Sequence, residues 1–222
     1  MKAYIFKLIL VALFSLIFLR TLYSQDVDSK KITASSDENE EHNFLKKGKW
    51  ALQFAIDENF TLINFDGATL SIKRHFSKRT ALRFSFNGSY FKYENDTNNS
   101  MYSKQVAAGF NLIFIYYLNP NEEFNIYGYA GGQYSYRYNS SAGLYDFSNR
   151  TSSSAGPVLG AGAEYFVFRR LSLFAEYSYA FNFGKDKSLD QTTIPSFEQI
   201  ESTYDIVSLN ANAVKFGLSV YF

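Results

Sequence analysis

The sequence predicts an all-β protein: eight antiparallel strands closed into an up-and-down transmembrane barrel. Three observations predict it. From Gly48 onward, apolar and polar residues alternate with a period of two and no long segment has a helical period. The expected connections, 58–66, 77–79, 94–100, 119–123, 139–154, 168–170 and 184–203, run long, short, long, short, long, short, long. The last row of alternate apolar residues runs through Val214, Phe216, Leu218 and Val220 to Phe222. A soluble sandwich has no reason to place its short turns at one end, whereas an outer-membrane barrel has short periplasmic turns and longer external loops. In lipid, every backbone polar group must be paired internally, so a spanning sheet has to close on itself and its last strand belongs to the seam.

The N-terminal stretch "MKAYIFKLILVALFSLIFLRTLYSQ" has Lys2 and Lys7 ahead of an apolar run from Leu8 to Leu19, and Ser24 as a small residue before Gln25. This reads as a secretory signal peptide over 1–24, because the apolar run is short for a membrane span. Residues 25–47 contain "DVDSKKITASSDENEEHNFLKK", rich in Ser, Asp, Glu and Lys, and read as a flexible periplasmic leader. The barrel is expected over 48–222.

Each strand follows from its alternation. Trp50, Leu52, Phe54 and Ile56 form the apolar row of the first, and Ala68, Leu70, Ile72 and Phe76 that of the second. Leu82, Phe84, Phe86 and Tyr90 mark the third, and Val106, Ala108, Phe110, Leu112, Phe114 and Tyr116 the fourth. Residues 124–138, "FNIYGYAGGQYSYRY", form a fifth whose two faces the pattern leaves unordered. Leu159, Ala161, Ala163, Tyr165 and Val167 form the sixth row, and Leu171, Leu173, Ala175, Tyr177, Tyr179 and Phe181 the seventh. The eighth carries Lys215, Gly217, Ser219 and Tyr221 on its other face.

Composition narrows the function. The net charge of +1 offers nucleic acid no electrostatic partner surface. The absence of cysteine excludes disulfides and a lipidated-cysteine anchor. Aromatics make up 19% of the residues although mean hydropathy is slightly negative, as expected of one greasy and one polar face. Trp50, Phe76, Tyr116, Phe124 and Tyr165 lie near the short-turn ends of their strands and are expected to form the periplasmic aromatic girdle, with Phe222 beside them.

Charged residues with polar-face parity are the candidate interior residues. Lys73 and Arg83 flank the "SKR" turn, and Glu164 and Glu176 flank "FRR". In an eight-stranded barrel, strands two and three stand opposite six and seven, so two cations face two anions across the lumen. An unpaired buried charge is costly. The expectation is a lumen salt-bridge network of Lys73, Arg83, Glu164 and Glu176, with Lys215 as candidate fifth member, filling the interior as a plug. A gate that opens occasionally is the other reading of the same residues.

Enzymatic readings find little support. His42 lies in the leader and His75 beside a periplasmic turn, away from the outer rim where a triad acting on surface lipid would stand. No cysteine–histidine cluster or EF-hand spacing suggests a metal, and no cofactor is expected.

The terminal Phe222 with Val220, Leu218, Phe216 and Val214 before it resembles the carboxy-terminal signature of bacterial outer-membrane proteins. Over residues 48–222 the chain resembles the small eight-stranded barrels of the OmpA/OmpX type, and the hairpin "GAGAEYFVFRRLSLFAEYSYAF" is similar to one recurring in that family. The "SQ" context resembles signal peptides of Bacteroidota. The resemblance implies a Gram-negative outer-membrane location, lipids and lipopolysaccharide as surroundings, and the barrel-assembly machinery as the reader of Val214–Phe222. It covers the barrel alone, with no peptidoglycan-binding domain. The expected function is that of a non-enzymatic, monomeric barrel supporting membrane integrity and displaying surface loops, chiefly 139–154 and 184–203. The alternative is a small pore or conduit for small or hydrophobic molecules.

Overall fold

A computed structural model describes residues 45–61, 67–95, 101–120, 122–192 and 198–222. The expected signal peptide, and the leader up to residue 44, lie outside the described residues. The strands are β1 (Trp50–Ile56), β2 (Ala68–His75), β3 (Thr80–Asn95), β4 (Met101–Tyr117), β5 (Phe124–Ala142), β6 (Asp146–Phe168), β7 (Leu171–Thr192), β8 (Glu198–Ala211) and β9 (Lys215–Tyr221). Each pairs antiparallel with its neighbours, and the β6–β7 pairing closes the sheet into a ring.

Nine strands make eight staves. β7 pairs with β8 from Tyr179↔Ala211 upward and with β9 from Glu176↔Lys215 downward. Between those registers Tyr177 and Ser178 oppose Asn212, Ala213 and Val214, which is a β-bulge. Asn212 holds it: its N–H donates to Ser178 O at 2.8 Å and its Nδ2 to Ser178 Oγ at 2.7 Å. The extra residue reverses side-chain parity, so above the bulge it is Val207 and Leu209 that face outward. The seam pairs β1 with β9 from Ala51↔Tyr221 to Ile56↔Phe216, and Trp50 and Phe222 exchange backbone hydrogen bonds of 3.1 and 2.9 Å.

The alternation becomes an inside and an outside. On β2, Thr69, Ser71, Lys73 and His75 are buried while Leu70, Ile72 and Arg74 are exposed. β5, unordered by its pattern, turns Asn125 and Tyr127 inward and Phe124 and Ile126 outward. On β7 the outward apolar row from Leu171 to Phe181, at about 3.3 Å per residue and a tilt of about 40°, rises about 25 Å, the height of an outer-membrane apolar band.

The barrel is lopsided. β1 and β2 have 7 and 8 residues, whereas β5, β6 and β7 have 19, 23 and 22. Above the closed ring, β3 to β8 continue as a curved sheet, paired up to Asn95↔Met101, Ala142↔Phe147 and Thr192↔Glu198. This corrects the expected long loops. Most of 139–154 and much of 184–203 is strand, with 143–145 as a tight tip between β5 and β6. The Ser, Thr and Asn residues of this extension carry no apolar period. The ladder below them sets the pairing instead.

The lower interior is packed by Ala51, Ala81, Ile113, Ile115, Tyr117, Tyr127, Val158, Phe166 and Tyr221. Leu45, from the segment preceding β1, joins them at 1% exposure.

Candidate functional site: a crossed ion-pair plug

β2 and β3 carry Lys73 and Arg83 inward as direct Cα partners. Like charges in that position repel, and each side chain crosses the lumen to a carboxylate on the far wall. Lys73 Nζ lies 3.0 Å from Glu164 Oε2 and 3.2 Å from Oε1. Arg83 meets Glu176 in a two-point fork, Nη2 to Oε2 at 2.7 Å and Nη1 to Oε1. Lys73 and Glu164 are 1% and 0% exposed.

Burial of two ion pairs requires that the remaining lone pairs be occupied. Glu164 accepts from Tyr117 Oη at 2.6 Å, Tyr221 Oη at 2.7 Å and Ser172 Oγ at 2.5 Å. Glu176 accepts from Tyr127 Oη at 2.6 Å. Lys73 also donates to Tyr117 Oη at 2.8 Å and sits 5.0 Å from the centre of the Tyr221 ring. Arg83 lies 5.6 Å from the Tyr129 ring and reaches Gln53 Oε1 at 3.4 Å, while Gln53 Nε2 donates to Ser219 Oγ at 2.8 Å. These rings need room. A Cβ at Gly162 would lie 2.7 Å from Tyr127 Cζ, and one at Gly160 2.3 Å from Tyr129 Cζ. The small residues of "GAGAEY" are therefore the space in which two inward tyrosines lie.

The structure brings Lys73, Arg83, Glu164 and Glu176 together and leaves Lys215 apart. Lys215 is the Cα partner of Glu176, yet its ammonium reaches Thr69 Oγ1 at 3.3 Å and makes no ion pair among the described residues. The Arg83 fork and Tyr127 already occupy Glu176. Sequence reasoning missed Tyr117, Tyr127, Tyr221, Ser172 and Gln53. Parity was the available signal, since each shares the inward face with a charge or a small polar residue of its own strand.

His75 is fully buried between Tyr117 and Tyr221, at ring distances of 5.6 and 5.8 Å, and neither ring nitrogen has a hydrogen-bond partner among the described residues. Above the plug the lumen opens into a cavity of about 740 Å³ lined by Ser71, Ser85, Asn111, Gln133 and Asn182, with Arg83 and Glu176 also on its wall. Higher still, outside the membrane band, Arg150 Nε donates to both Asp186 oxygens at 3.0 and 2.9 Å, and this hydrogen bonding holds the Asp186 carboxyl below its ordinary range.

On the outer surface Trp50, Phe76, Tyr116, Phe124 and Tyr165 are exposed near the short-turn ends of their strands. Val214, Phe216 and Phe222 are exposed, Leu218 is half-buried and Val220 is buried.

The OmpA-like transmembrane domain model matches residues 82–219. No curated protein matches the chain. Among solved structures, the chain is similar to the outer membrane protein OprG of Pseudomonas aeruginosa, with a TM-score of 0.55, 14% identity, and coverage of 80% of this chain and 97% of that one. It is also similar to a major outer membrane protein of Thermus thermophilus, with a TM-score of 0.48, 12% identity and coverage of 79% and 99%. The N-terminal barrel of Pseudomonas aeruginosa OprF gives 0.46, 12%, 79% and 98%. The family match spans more than half of the chain and runs from the third strand to the seam of the ring described above. The protein belongs to the OmpA-like transmembrane domain family and is a β-barrel of the outer membrane.

Proposed function

We propose that this protein is a non-enzymatic, monomeric barrel with a sealed lumen. It supports outer-membrane integrity and presents the β3–β8 extension as a contact surface among lipopolysaccharide and external partners. The observation that carries this reading is the saturation of Glu164, which binds Lys73, Tyr117, Tyr221 and Ser172 at once and leaves no carboxylate oxygen for a solute or a catalytic proton. Val214, Phe216, Leu218, Val220 and Phe222 serve in this reading as the signature that the barrel-assembly machinery reads.

The test is conductance of the refolded protein in planar bilayers, together with dye uptake by cells lacking the gene. A silent bilayer and raised dye uptake are expected. Steady conductance that Glu164→Ala alters would overturn the sealed-lumen reading in favour of a conduit. The polar cavity of about 740 Å³ above the plug is the feature that favours that second reading.

A further inference from the structure

Inside the closed ring the cations Lys73, Arg83 and Lys215 stand with the carboxylates Glu164 and Glu176. Both carboxylates are taken. Glu164 holds Lys73 at 3.0 Å, and Glu176 holds the Arg83 fork together with Tyr127 Oη at 2.6 Å. Lys215 is the odd charge. It is half-buried, and it spends one of its three donors, on Thr69 Oγ1 at 3.3 Å. Arg83 also keeps a spare donor: its Nε is buried and has no hydrogen-bond partner among the described residues.

The acids at the rim do not relieve Lys215. Asp57, just past β1, lines the same cavity, but its Oδ1 accepts from Asn59 N–H at 2.9 Å and would lie 2.4 Å from a Cβ at Gly67. Its carboxylate is thus folded into the turn between β1 and β2. Glu58 is exposed on that turn. Neither forms an ion pair with Lys215 among the described residues. A charge held out of bulk water without a counter-charge is costly. Lys215 lines the cavity of about 740 Å³ above the plug, a volume typical of small-molecule sites. An eight-stranded ring is wide enough to hold one small ligand. Ser71, Ser85, Asn87, Asn111 and Gln133 line the same cavity with hydroxyls and amides, which both donate and accept.

We infer that the floor of this cavity binds a small organic carboxylate through Lys215. The free donors of the ammonium hold the carboxylate in charge-assisted hydrogen bonds, and the Thr69 hydroxyl stands beside them. The hydroxyl and amide walls take the rest of the solute. A bare ion would leave most of that space to water and the wall groups unmatched, whereas a sugar acid, one carboxylate on a hydroxylated body, uses both. The solute enters from the external side and stops above the plug, so the site holds its ligand whether or not the lumen conducts.

The test titrates the full chain, refolded in detergent micelles, with D-glucuronate and with its neutral amide, glucuronamide, at matched ionic strength. Amide resonances of 69–71, 85–87 and 215–217 are followed by NMR. Glucuronate is expected to shift them saturably and to bind at least about tenfold more tightly than glucuronamide. Lys215→Gln should bring the two ligands to equal, weak affinity, and Lys215→Arg should keep the preference. Arg79→Gln, on the periplasmic turn between β2 and β3, should leave both affinities unchanged, and heat-modifiable gel mobility verifies folding of each variant. Four outcomes would each overturn the proposal: no saturable shift, equal affinity of the two ligands for the unaltered chain, a preference that survives Lys215→Gln, or saturation of the same shifts by sodium chloride at the glucuronate concentration, which marks a bare counter-ion site.

Discussion

Lys73 and Arg83 stand side by side as Cα partners, yet they bind different carboxylates on the opposite wall, Glu164 and Glu176. Crossing the lumen relieves their mutual repulsion and ties β2 and β3 to β6 and β7, strands that share no backbone pairing. The plug is thus an interior brace across the ring. Its net worth over an apolar filling is small, because two ions leave water to form each pair, but the loss of either partner strands a charge.

Glu176→Ala leaves Arg83 buried without its counter-ion. The expected cost is about 3–5 kcal/mol in urea unfolding followed by Trp50 fluorescence. Arg83→Met/Glu176→Leu should recover most of it, since an apolar pair of similar volume needs no counter-charge. Glu94→Ala, which removes an exposed partner of Lys92 at 2.6 Å, should leave the midpoint unchanged.

Tyr221→Phe removes one donor from the Glu164 carboxylate while keeping the ring beside His75 and Phe166. A hydrogen bond to a charged group contributes about 1.5–3 kcal/mol, and a destabilisation of that size is expected. Tyr177→Phe on the lipid face is the control and should lie near wild type.

Gly162→Val places a branched side chain where the Tyr127 ring lies. Overpacking of this kind costs about 1–3 kcal/mol. Because Tyr127 then swings away from Glu176, the double variant Gly162→Val/Tyr127→Phe should be less destabilised than the sum of the single changes in the same unfolding assay.

The upper sheet has a pH dependence of its own. Arg150 lowers the folded-state pKa of Asp186 by hydrogen bonding, so this pair stabilises the sheet above the unfolded aspartate pKa of about 3.9 and the contribution is lost as pH falls through the lower folded value. Hydrogen exchange of amides in 148–152 and 186–190 should therefore speed up, after correction for intrinsic rates, below about pH 4. Asp186→Asn should exchange fast at every pH and lose the dependence.

Side-chain direction was legible in the sequence because strand parity is local: a period of two sorts Lys73 from Ile72 and Glu164 from Tyr165 with no knowledge of neighbours. Placing two cations opposite two anions needed only the strand order. The partners themselves were not legible. Whether Arg83 meets Glu164 or Glu176, and why Lys215 meets Thr69 instead, depends on the register between strands distant in sequence and on an extra residue at 212–214. β5 stayed unordered because its tyrosines serve both faces, Tyr127 within the plug and Tyr134 on the exposed side.

By itself, then, the sequence determined a closed β-ring with a greasy exterior, its short-turn end and the four inward charges Lys73, Arg83, Glu164 and Glu176, while its fifth candidate, Lys215, stayed outside their ion pairs. These follow from hydropathy and spacing, which every strand carries independently. The tertiary structure decided the heights of the staves, the bulge that splits the eighth, the burial of Leu45 and the tyrosine hydroxyls that complete each carboxylate. Those depend on pairing across the barrel, where backbone hydrogen bonds extend polar segments that have no pattern of their own, and where the volume left by Gly160 and Gly162 determines which rings fit inside.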